Sequence, residues 1–118
     1  MEEVTYGIET RAAAAFANPT WETVELRRTI ARARAEVAAL LLSPRVFETV
    51  NQSLEAATQE AAAERPDRYE VGEHLGAAAH TLKDAGALVG ADKGVVQSLC
   101  RAVELLGPAG LATIAPAL

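Results

Sequence analysis

Leu26-Arg-Arg-Thr-Ile30-Ala-Arg-Ala33-Arg-Ala-Glu-Val37-Ala-Ala-Leu40 places an apolar residue at alternating steps of four and three. That period belongs to one face of an α-helix. Held over five positions, it excludes the two-residue alternation of a half-buried strand. The spacing and the flanking breaks predict a helix over 20–42. On its other side Trp21, Val24, Ala31, Ala35, Ala38 and Leu42 form a second, weaker stripe. A helix that is apolar on two sides sits centrally in a bundle or lies in an interface between chains.

Helical signals continue in both directions. Upstream, Val4, Ile8, Ala12 and Ala15 or Phe16 predict a helix over 3–17, ended by Asn18-Pro19-Thr20. Downstream, Ser43-Pro44 supplies an N-cap and a proline at the first helical position. The helix it opens is expected over 44–64, with Phe47, Val50, Leu54, Ala57 and Ala61 on one face and Pro66 beyond its end. Asp67 and Glu70 have the spacing of a capping box and open a helix expected over 68–89, closed by Gly90. Asp92 caps a last helix over 93–106 that carries Val95, Val96, Leu99, Val103 and Leu106 and stops at Gly107-Pro108. The tail from Ala109 is apolar without a strong helix signal. With no internal repeat or linker, 1–118 reads as a single all-α domain, an antiparallel four- to five-helix bundle.

Composition agrees. Alanine accounts for 26 of the 118 residues and only five are aromatic, which suits close helix–helix packing. The C-terminal stretch is too broken by Gly107, Pro108 and Pro116 to span a bilayer, and no signal peptide opens the chain. A cytoplasmic location without membrane contact is therefore expected. The single cysteine, Cys100, excludes an internal disulfide and a multi-cysteine zinc site. Lying beside Leu99 and near Val96 and Val103, it reads as a buried, inert thiol. A net charge of −5 argues against nucleic-acid binding. Arg27, Arg28, Arg32 and Arg34 make a local basic cluster that either binds an acidic partner or forms a solvated helix face.

The helix over 68–89 carries the chemistry. Val71, Leu75, Ala78, Ala79, Leu82, Gly86 and Val89 share one face at about 100° per residue, and His80 lies about 160° from its centre. The side chain should therefore face solvent, among Gly76, Ala77, Lys83, Asp84 and Ala87. Here the chain resembles a known family. Ala79-His80-Thr81-Leu82-Lys83, with Gly90-Ala91 beyond, is similar to the signature of histidine-containing phosphotransfer domains. The resemblance implies a helical bundle presenting one exposed histidine, which exchanges phosphoryl groups with the aspartates of response regulators. It makes His80 the phosphoacceptor and Lys83 the cation beside the phosphoryl group. Gly76, Ala77, Asp84 and Ala87 then line the surface that a response-regulator-like partner meets. The module needs no cofactor of its own. Asp84 stands where the family usually has glycine. The helix over 20–42 takes the place of the family's final long helix.

Other sites are sparse. His74 and His80 diverge by about 120° around the helix, so a shared metal is not expected. No nucleophile elbow, zinc-protease motif or phosphate-binding glycine loop occurs. The alternative function is a non-catalytic interaction or dimerisation module, either homodimeric through Trp21, Val24 and Leu42 or inserting its apolar tail into a partner groove.

Overall fold

The computed structural model describes residues 21–88 and 93–118. The helix expected over 3–17, and the caps expected at Gly90 and Asp92, lie outside them. Among the described residues five α-helices follow in order: α1 (Trp21–Ala38), α2 (Pro44–Ala61), α3 (Arg68–Asp84), α4 (Lys93–Leu106) and α5 (Pro108–Thr113). A 3-10 turn (Ala115–Ala117) closes the chain, and no strand occurs among the described residues. The protein is an all-α helical bundle.

Neighbouring helices run antiparallel, and cross-helix hydrogen bonds mark the register. Arg27 Nε, near the start of α1, donates to Ala61 O at the end of α2 at 2.7 Å. Ser98 Oγ on α4 donates to Glu36 Oε1 on α1 at 2.7 Å. Arg68 Nη1, at the start of α3, donates to Leu105 O near the end of α4 at 3.1 Å. The Arg27 and Arg68 bonds each satisfy a helix-terminal carbonyl that has no partner within its own helix. Helix α1 packs on α2 and α4, α2 on α3, and α3 meets α4 largely through α5 and the 3-10 turn.

The core contains the apolar seam of α1. Leu26, Ile30, Ala33 and Val37 of α1 are buried, as are Val50, Leu54, Ala57 and Ala61 of α2. Val71, Leu75, Ala78, Ala79 and Leu82 of α3 and Val95, Leu99, Ala102, Leu105 and Leu106 of α4 complete it. Fully burying one of the larger aliphatic side chains contributes about 1.5–3 kcal/mol.

Three helix ends and the tail differ from expectation. Helix α1 stops at Ala38 rather than Leu42, because Leu40 N–H turns back onto Val37 O and Ser43 is extended ahead of Pro44. Helix α2 stops at Ala61, several residues before Pro66. Helix α3 stops at Asp84, not residue 89. Gly86 takes φ +74°, its N–H bonds Lys83 O, and Ala87 N–H bonds Leu82 O. That is a Schellman closure, which a residue without Cβ enters most readily. Gly86 therefore lies at an exposed turn rather than on the core face.

The tail is the larger correction. Pro108 starts a real helix, and Ala109, Gly110, Ile114 and Ala117 are all buried. Three glycines let it seat. A methyl on Gly110 would lie 2.8 Å from Val103 Cα on α4. One on Gly72 would collide with Thr113 Oγ1, and one on Gly76 with the Thr113 carbonyl oxygen. The apolar tail is thus part of the core and not an arm held out for a partner.

Candidate functional site

His80 stands on the last full turn of α3, opposite the face that carries Leu75, Ala79 and Leu82 into the core. Its side chain is 70% exposed, and its Nε2 lies 3.5 Å from Asp84 Oδ2 one turn along. Lys83 and Ala77 are exposed and Ala87 is half-buried. Thr81 turns its hydroxyl back onto Ala77 O at 3.0 Å. The helix is anchored at the other end by Asp67, whose carboxylate accepts from the N–H groups of Tyr69 and Glu70. His80 is thereby an exposed imidazole on a rigid element, with a cation and an anion within one turn.

Gly76, expected in the same clearing, is not there. It is buried beneath the tail at Thr113, so a partner meeting His80 cannot reach it. Helical angle alone grouped it with His80, but a glycine facing sideways on α3 is what lets the tail approach.

The two charged neighbours act in opposite senses. Lys83 suits the negative end of the α3 dipole, while Asp84 opposes it. A neutral imidazole that donates its Nε2 proton toward Asp84 Oδ2 keeps a lone pair on Nδ1. The arrangement can therefore present a nucleophilic nitrogen to an electrophile arriving from solvent.

The remaining candidates separate on geometry. His74 is half-buried with Nε2 3.7 Å from Glu70 Oε1, and it lies on a different face from His80. Among the described residues no group of three His, Cys, Asp or Glu side chains could hold a metal ion. Cys100 is exposed, contrary to expectation. The buried face of α4 runs through Val95, Ser98, Leu99, Ala102 and Leu106, and Val96 and Val103 on the Cys100 side are only half-buried.

The basic cluster divides. Arg27 and Arg34 reach across to α2, Arg34 to Thr58 Oγ1 at 3.5 Å and Asn51 Oδ1 at 3.4 Å, whereas Arg28 and Arg32 stay exposed. Of the residues named for dimerisation, Val24 is exposed and Leu42 packs against the core; the Trp21 side chain lies outside the description. The second stripe on α1 is otherwise exposed at Ala31, Ala35 and Ala38.

Sequence reading missed the buried Ser98 and its bond to Glu36. The signal was present, since Ser98 sits three residues after Val95 and four before Ala102 on the core face.

No family model matches this chain, and no curated protein or solved structure matches it either. Among the described residues no helix is long and apolar enough to cross a membrane.

Proposed function

We propose that this bundle is a phosphotransfer-like module of cytoplasmic two-component signalling, in which His80 takes up a phosphoryl group and passes it on. The observation that carries the reading is the exposed His80 imidazole on a helix locked into the bundle, with exposed Lys83 three residues on. The unprotonated ring nitrogen attacks the phosphorus of an aspartyl phosphate on a response-regulator-like partner. The P–N bond forms as the bond to the carboxylate oxygen breaks, the partner's carboxylate leaves, and the proton on the other ring nitrogen passes to Asp84 or to solvent. Lys83 offsets the phosphoryl charge. The partner supplies the metal and carboxylates of that exchange, so the module is a phosphocarrier and not a stand-alone catalyst. Ala77, Asp84 and Ala87 border the contact.

The test is incubation with a panel of phosphorylated response regulators, followed by assay for acid-labile phosphate. Label on the wild type and none on His80→Gln supports the proposal. Label on neither overturns it.

A second reading rests on the exposed Val24, Ala31, Ala35 and Ala38 stripe of α1. It makes the chain a non-catalytic interaction module. Loss of self-association on Val24→Glu, with His80 dispensable, would favour it.

A further inference from the structure

We infer that Asp84 sets the transfer potential of His80, so that a phosphoryl group there is readily passed on and poorly stored; this rests on the phosphoacceptor reading of His80. Asp84 Oδ2 lies 3.5 Å from His80 Nε2, and both side chains are about 70% exposed. A phosphoryl group on either ring nitrogen brings close to two negative charges near that carboxylate. Lys83 offsets part of this, equally in any variant that keeps it. At about 5–6 Å in a water-like dielectric, the repulsion lowers the phosphorylation equilibrium by about three- to tenfold, depending on salt. This repulsion raises the free energy of the phosphohistidine and favours onward transfer. A glycine at this position would give no such repulsion.

Phosphoramidate tests this without a protein partner. The ring nitrogen displaces ammonia, the donor's P–N bond breaks as the new one forms, and the released ammonia is protonated. Wild type and Asp84→Asn are brought to equilibrium at a fixed phosphoramidate-to-ammonium ratio, with phosphohistidine at positions 74 and 80 quantified by mass spectrometry and ³¹P NMR. We expect about three- to tenfold more phosphate at His80 in Asp84→Asn at low salt, a gap that closes near 1 M salt, and no change at His74. Equal levels at His80, a gap indifferent to salt, or no phosphate at His80 in either variant overturns the inference. Failure of response regulators to label His80 in any variant, with the chemical difference intact, removes the phosphotransfer reading and leaves the electrostatic role of Asp84 standing.

Discussion

Placing one methyl on α3 at two positions a turn apart should separate a backbone clash from a side-chain clash. At Gly76 a Cβ would run into the Thr113 carbonyl oxygen, with the carbonyl carbon at 3.0 Å, so every close atom is backbone. Relief requires moving the end of α5 and, with it, Ile114, which is fully buried. Overpacking of this kind costs about 1–3 kcal/mol, and releasing Ile114 sets a ceiling near 3 kcal/mol. Alanine's better helix propensity returns about 1 kcal/mol, leaving Gly76→Ala destabilised by up to about 2 kcal/mol. At Gly72 the nearest obstacle is Thr113 Oγ1, which can rotate away at the loss of its 2.6 Å bond to Ala109 O, and the Ala109 carbonyl oxygen at 3.2 Å need give only a few tenths of an ångström. Gly72→Ala should cost about 0–1 kcal/mol. Thr113→Ala then discriminates. It should rescue Gly72→Ala, with a coupling of about 1 kcal/mol, and leave Gly76→Ala unrescued. Urea unfolding followed by far-UV circular dichroism measures all five variants. A coupling at position 76 as large as at 72, or a Gly76→Ala more stable than wild type, would refute the argument that the tail seats on α3 backbone to backbone.

Three further outcomes are expected. Ending the chain after Gly107 removes Ala109, Ile114 and Ala117 from the core and bares Gly72 and Gly76; unfolding free energy should fall by about 3 kcal/mol or more, checked by the same denaturation curves. His80→Gln should leave stability within about 0.5 kcal/mol of wild type, because the side chain is mostly solvated; a larger loss by thermal melting would mean the imidazole supports the fold. Cys100 should react with Ellman's reagent in the folded protein at close to its rate in urea, one thiol per chain; protection until unfolding would restore the buried reading.

Periodicity made most of the bundle legible. The positions 26, 30, 33 and 37 on α1, 50, 54, 57 and 61 on α2, and 71, 75, 78, 79 and 82 on α3 face the core as the spacing of their apolar residues requires. His80 faces solvent for the same reason. Errors arose where a residue's fate depends on a neighbour remote in sequence. Gly76 looked like open surface because its own helix cannot report that Thr113 lies against it. Cys100 looked buried because Val96 and Val103 are apolar, although the inter-helix contact turns α4 through Ser98 and Ala102 instead. Arg27 and Arg34 looked like surface charge, since their acceptors Ala61 and Thr58 are on another helix.

The sequence by itself therefore determined the helices, their caps at Ser43 and Asp67, the core-facing stripes and the outward direction of His80. These follow from the 3.6-residue repeat and from hydrogen bonding within a few residues. Only the tertiary structure decided that the tail after Gly107 belongs to the core and which arginines bridge helices. The tail carries weak local helical preference, and its order comes from burying Ile114 and Ala117 in a groove that α3 and α4 create together. That groove exists only once the four longer helices have packed.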